Sequence, residues 1–362
     1  MEEEEARHQI KRGAVDEDGG EAEEGYPSSK RLKPPPTRWW WEDEATATAV
    51  LHGVRKEQAT LYDPKLRGFD LCRGFDYHVM SSSRHGAVFD FDHDEESTDR
   101  VARQLDTIPE SERDNLQLAL NVLHLKVLAS DVGFPISVYG TVLMRDELDF
   151  KCIYLFQRDR DNCQVISAPD ELLTLTGPNR GPFEATSFYF EINIKIRGGE
   201  EQSMDRIFSR TLACEYYPLD QWTHKQEISS WLSTLELACR SVHYAVEATV
   251  GITILRGPRE FYGSVIACTS QDSNDMVLYE SQRSGAHVAT AGADGSVTLP
   301  RQLVVLREDE DLVLKITTVS DRGGHRAKSK TTVLTVGHGD TSFDIKQQPY
   351  RLQATVSWAG IL

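Results

Sequence analysis

The chain has 362 residues, 39% hydrophobic and 27% charged, enough for one large or two ordinary domains with a well-buried core. Lys and Arg total 40 against 57 Asp and Glu, a formal charge of −17 that argues against nucleic acid held over a broad surface and leaves room only for a local basic patch. No apolar run approaches the length that crosses a bilayer as a helix, so no membrane span is expected.

Residues 1–44 carry 13 acidic and 7 basic side chains, with Gly, Pro and Ser between them and few aliphatic residues. Such a segment cannot bury enough apolar surface to offset the entropy of ordering, so residues 1–45 are expected to be a disordered acidic tail. Within it, Lys30, Arg31 and Lys33 precede Pro34-Pro35-Pro36 and form a candidate nuclear-import signal; an incidental charge cluster is the plainer account. Trp39-Trp40-Trp41 offers apolar area for docking onto the folded body or onto a partner. Residues 46–111 show no sustained period beyond a brief alternation at Ala87 to Phe91, and are expected to form an irregular linker with short elements.

From about residue 112 the pattern is that of strands. Leu116, Leu118, Leu120 and Val122 alternate, then Leu123, Leu125 and Val127 continue on the opposite phase, the signature of a bulged strand. A helical stripe through Leu116, Leu120, Leu123 and Val127 competes with it. Short strands are predicted at Ser137 to Met144, Lys151 to Phe156, Gln164 to Ile166 and Leu172 to Leu175, and a cleanly alternating one at Phe188 to Ile196. After a less regular stretch at 197–230, a second series runs from Val246 to Ile254, Phe261 to Ala267, Met276 to Glu280, Val297 to Leu299 and Arg301 to Leu306. It continues through Leu312 to Ile316, Thr331 to Val336 and Leu352 to Trp358. Gly, Pro, Asn and Asp punctuate the gaps, as in an all-β meander.

The two series resemble each other at an offset of about 123 residues: Tyr139-Gly140-Thr141-Val142-Leu143 answers Tyr262-Gly263-Ser264-Val265-Ile266, and Thr174-Leu175 answers Thr298-Leu299. Alternating strands look alike cheaply, so duplication and chance both account for this much. If the offset is a duplication, it settles 116–128 as strand, because its counterpart 246–254 alternates strictly. The expected fold is an all-β antiparallel sandwich, or a pair of small ones, over 112–358, with halves at about 116–196 and 246–319.

The six cysteines, Cys72, Cys152, Cys163, Cys214, Cys239 and Cys268, are scattered without a Cys-x-x-Cys pair, and most lie in apolar or alternating stretches. No Asn-x-Ser/Thr acceptor occurs, and the Met1-Glu2-Glu3 start lacks the basic and apolar regions of a secretory signal. A reducing compartment, cytoplasm or nucleus, is expected.

The runs Val138-Tyr139-Gly140-Thr141-Val142, Arg145-Asp146-Glu147-Leu148-Asp149-Phe150-Lys151 and Leu155-Phe156-Gln157-Arg158-Asp159-Arg160-Asp161-Asn162-Cys163-Gln164 resemble the core of an uncharacterised plant domain family abundant in grasses. Leu173 to Pro178, Phe188 to Ile192 and Ala245 to Val250 extend the resemblance over about 112–358. It implies no established reaction. Some relatives resemble fusions to ribosome-inactivating N-glycosidase domains, which implies a link to defence or translation.

The polar cluster Arg145, Asp146, Asp149, Lys151, Arg158 and Arg160 is the candidate binding site. Arg145 and Arg158 would fork around a carboxylate or phosphate of a partner, whereas salt bridges that fix loop geometry are the plainer account. Asp146, Asp149, Asp159 and Asp161 carry oxygen ligands, but the interleaved Arg and Lys oppose a calcium ion, so no metal is assigned. No His-Glu-x-x-His, Gly-x-Ser-x-Gly or phosphate-binding Gly-Lys-Ser/Thr loop occurs, and no cofactor is assigned. Glu110 and Arg113 have the spacing of an N-glycosidase pair without its usual neighbours. The expected function is a non-catalytic binding or regulatory module with a protein partner; an N-glycosidase or other hydrolase is the alternative.

Overall fold

A computed structural model describes residues 61–70, 95–98, 102–146, 148–149, 151–183, 188–215, 223–281, 288–322, 325–339 and 342–362. Lys30, Arg31 and Lys33, the three tryptophans and the Ala87 to Phe91 alternation lie outside them.

In chain order, a hairpin of β1 (Leu61–Asp63) and β2 (Gly68–Asp70) is followed by β3 (Ala102–Gln104). The first half then comprises β4 (Ala119–Ser130), β5 (Ile136–Arg145), β6 (Ile153–Arg158), β7 (Gln164–Ile166), β8 (Glu171–Leu172), β9 (Phe188–Ile196), β10 (Arg206–Glu215), β11 (Thr223–Ser230) and β12 (Ser233–Val242). The second half comprises β13 (Ala245–Arg256), β14 (Glu260–Phe261), β15 (Gly263–Thr269), β16 (Met276–Glu280), β17 (Ala289–Thr290), β18 (Ser296–Val297) and β19 (Leu303–Arg307). It ends with β20 (Leu312–Arg322), β21 (His325–Val336), β22 (Ser342–Gln347) and β23 (Tyr350–Ile361).

Each half is a two-sheet antiparallel sandwich. In the first, the order β10-β9-β5-β6 packs against β11-β12-β4-β8; in the second, β21-β20-β15-β16 packs against β22-β23-β13-β18. The strand orders correspond one for one, so the offset seen in the sequence is a repeated topology. Its details repeat too. The β5–β6 ladder slips between Val142 and Leu143, and the β15–β16 ladder slips between Val265 and Ile266. Gly140 and Gly263 occupy equivalent places, where a Cβ would collide with the carbonyl oxygens of Asn193 and Thr317 across the ladder.

Alternation built these elements. Phe188, Phe190, Ile192 and Ile194 of β9 point into the first core with Val122, Leu125 and Phe156, each fully buried side chain contributing about 1.5–3 kcal/mol. Val246, Ala248, Val250 and Ile252 of β13 do the same for the second core. The phase change in β4 is a bulge: Cys239 pairs with Val122 and Ala238 with His124, leaving Leu123 as the extra residue. Leu123 thereby turns outward and joins the second core.

Two expectations need correction. The less regular stretch at 197–230 supplies two regular strands among its described residues, β10 and β11, and β12 follows directly. The body also begins before residue 112, because β3 pairs with the end of β23 (Ala359 with Gln104) and Leu105 and Ile108 are buried. Buried Ala119, Val242, Ala245, Leu303, Val305 and Ile361 close the seam between the halves.

Candidate functional site

The charged run after β5 folds mostly inward. Arg145 is buried, and its Nε donates to Glu191 Oε1 at 2.7 Å. Asp146 and Asp149 are buried beside Arg180, a residue outside the predicted cluster. Arg180 Nη1 and Nη2 donate to Asp146 at 2.5 and 2.9 Å, and Nη2 reaches Asp149 Oδ1 at 3.4 Å. Ser97 donates to Asp149 Oδ2 at 2.6 Å and accepts from Arg180 Nε at 2.8 Å. Burial opposes the Arg180 charge, but the Asp146 hydrogen bond and the nearby carboxylates outweigh it and raise its pKa. The place that two carboxylates would offer a calcium ion is taken by a tethered cation.

Arg160 is a second internal tie. Its Nε donates to Asp205 Oδ2 at 2.8 Å, and its Nη2 donates to Gly199 O at 2.7 Å. The Arg160 hydrogen bond, seconded by Tyr139 and the Gly198 amide, holds the Asp205 carboxyl well below the usual range. Burial and that carboxylate push the Tyr139 hydroxyl up to about 12. Lys151 lies nearer the surface, its Nζ donating to Glu95 at 2.8 Å. Arg145, one arm of the expected Arg145–Arg158 fork, holds the internal Glu191 instead, Arg160 holds Asp205, and Asp146 and Asp149 hold Arg180.

Arg158 differs. Burial lowers the pKa of its guanidinium, and its Nη1 lies 3.3 Å from Asn162 O. Both residues line a hollow of about 290 Å³ at the seam, opposite Tyr279, Glu280 and Thr290 of the second half. Thr174 and Thr176 form one wall and Thr298 and Pro300 another. A second hollow of about 360 Å³ shares Thr176 and Pro300 and adds Asn179, Glu247 and Gln302, so the two form one groove between the halves. Thr174 and Thr298 are the residues that the sequence offset paired.

The groove has fixed walls. Tyr279 donates to Phe261 O at 2.7 Å and accepts from Ala289 N at 3.1 Å, which pins β17. Glu247 of β13 accepts from the Gly181 amide across the seam. Elsewhere between the halves, Arg240 of β12 pairs with buried Glu310 and lies 3.8 Å from Asp272. Arg301 is fully buried and donates to Leu123 O and Asn121 Oδ1 of the first half at 3.4 Å each. Burial lowers its pKa to about 10. None of Arg180, Arg240 and Arg301 stood out in the sequence; a buried arginine looks like a surface one until its partners arrive.

Chemically the groove presents threonine hydroxyls, side-chain amides, one guanidinium and two carboxylates. Among the described residues, no group of three His, Cys, Asp or Glu is placed to hold a metal ion. Glu110 is exposed on a short 3-10 turn, and Arg113 donates to Glu308 at 2.9 Å rather than facing a pocket with Glu110.

Comparison with solved structures returns a human GIVD cytosolic phospholipase A2 at 11% identity and TM-score 0.19, covering 67% of this chain and 32% of that one. It also returns the two C2 domains of extended-synaptotagmin 2, calcium bound, at 7% identity and TM-score 0.21, covering 68% of this chain and 97% of that one. This chain thus spans about a third of the phospholipase, and similarity this low carries no argument about function. A search of curated proteins finds no match. A family model does match residues 119–356, from the first strand of the first sandwich into the last strand of the second. The chain accordingly belongs to the family described as Domain of unknown function (DUF6598).

Proposed function

We propose that the chain is a non-catalytic binding module that recognises a protein partner through the groove between its two halves. The observation that carries this reading is the groove itself: a solvent-open, hydrogen-bonding channel walled by both sandwiches, with Glu247 of its lining tied to the Gly181 amide across the seam. Binding sites favour such junctions because two rigid bodies hold the recognising groups at little entropic cost. The free thiols of Cys163 and Cys268 support placement in a reducing compartment, cytoplasm or nucleus. A plant protein with a role in defence or translation is part of the same reading, on the motif resemblance alone.

The test fills the groove. Thr176→Trp with Thr298→Trp blocks both walls. The expected result is an unchanged melting temperature with loss of the partner that co-purifies with the wild type. Undiminished recovery by the folded double variant would overturn the groove as the recognition surface.

A further inference from the structure

The second half carries a basic surface at odds with a chain of net charge −17. On the outer face of one sheet, Arg256 of β13, Arg351 of β23 and Lys346 of β22 are direct cross-strand neighbours, and all three are exposed. Like charges placed opposite each other in a sheet destabilise it. Among the described residues, a single ion pair relieves the row, Arg351 with Asp344 at 2.6 Å. Lys330 of β21 continues the surface round the flank, its Nζ 3.5 Å from Lys346 O, and Lys328 lies two residues away on the same strand. Lysines along an edge strand alone would be read as protection against sheet-to-sheet aggregation. The Arg256–Arg351–Lys346 row lies on a sheet face, where that purpose does not apply.

The first half, with the same strand order, shows what the equivalent flank receives. There the edge strands β10 and β11 are closed: Leu232 N donates to Phe208 O at 3.0 Å, and Ser230 Oγ to Arg210 O at 2.8 Å. The β1 segment covers the adjoining turn. Asp63 is fully buried and accepts from Ser230 Oγ and Trp231 N at 3.0 Å each. In the second half the corresponding turn has Pro349, which has no N–H to donate. The β21 strand is twelve residues long and lies at the end of its sheet, with Val333 59% exposed. In the first half a carboxylate caps the β11–β12 turn; in the second, Gln347 Nε2 bridges β22 to Thr332 Oγ1 of β21 at 2.6 Å, and cations stand around the equivalent turn and along β21.

We propose that the β21–β22 flank docks an extended acidic peptide segment of a partner protein. Its backbone pairs with the outer edge of β21, which among the described strands pairs only with β20, and its carboxylates meet Lys328, Lys330, Lys346 and the arginine pair. This surface is separate from the groove and does not depend on it.

The probe is a fluorescein-labelled peptide of alternating Glu and Thr, as long as β21, titrated into the full chain by fluorescence anisotropy. Saturable binding that weakens with salt is expected, with amide exchange slowed in 325–336 when peptide is present. Lys328→Glu with Lys330→Glu, at exposed positions, should weaken binding about tenfold without lowering the melting temperature. The groove-filled Thr176→Trp, Thr298→Trp variant should bind the probe as the wild type does. A single-stranded oligonucleotide or anionic vesicles binding as tightly as the peptide would overturn the assignment to peptide. Binding indifferent to the lysine reversals, or exchange in β21 unchanged by peptide, would overturn the site.

Discussion

Arg180 carries the sharpest consequence of any single residue. It donates to two buried carboxylates, Asp146 and Asp149, so Arg180→Ala strands both in the interior. Breaking a buried pair from one side costs about 3–5 kcal/mol. Denaturant midpoints should fall accordingly, and restoring packing with Asp146→Asn and Asp149→Asn in the Arg180→Met background should recover much of the loss. The histidines set a pH dependence. Burial first of all lowers the pKa of both His124 and His338, the latter held edge-on to Trp358 at 4.4 Å between ring centroids. Folded imidazoles below their unfolded value stabilise fully above about pH 6.5, and that contribution is lost as pH falls and the unfolded rings take up protons. Asp205 adds loss in the same direction at lower pH, because its folded value also lies below its unfolded one. The melting temperature should therefore drop from about pH 7 to about pH 5, and His338→Phe should flatten part of that drop.

Individual elements depend on close approach between strands. Gly140 and Gly263 each admit a neighbouring carbonyl where any Cβ would collide, one in each half of the repeat. Alanine at either position should cost at least the roughly 1–3 kcal/mol typical of overpacking, and differential scanning calorimetry of the two variants would show whether each half responds alone. The β1–β2 hairpin is a second such element. Its Asp63 ties the β11–β12 turn, and Lys65 Nζ donates to Ser233 O at 2.7 Å. A chain beginning at residue 61 should melt as the full chain does, whereas one beginning at residue 71 should lose about 1–3 kcal/mol through the abandoned Ser230 and Trp231 donors.

For the whole molecule, the seam decides whether two sandwiches behave as one body. Arg240–Glu310, Arg301 with the Leu123 carbonyl, and the apolar patch around Leu303 and Ile361 all cross or line it. Glu310→Ala leaves Arg240 buried without that carboxylate, and calorimetry should then show two resolved transitions where the wild type shows one. A single shifted transition would mean that the apolar patch alone couples the halves. Both proposed surfaces follow from this scale, since the groove exists only between halves and the basic flank stands out only by comparison of one half with the other.

Period-two alternation made β9, β13 and β16 legible residue by residue, and the phase change at Leu123 announced its bulge, because side-chain direction in a strand is a local property. The repeat was visible for the same reason. β11 and β12 were missed on physical grounds: β11 is a polar edge strand, and β12 is buried on every residue from Leu237 to Val242 because the seam covers its outer face there. The charges were misread more deeply. Asp146 and Arg180 are 34 residues apart, Arg240 and Glu310 70, and no spacing rule joins them. Residue order determined the strands and the recurrence of their pattern; which charges are buried together, and that Thr174 and Thr298 share one groove, was decided only when the two sandwiches closed on each other, since desolvation and long-range pairing are properties of the packed body.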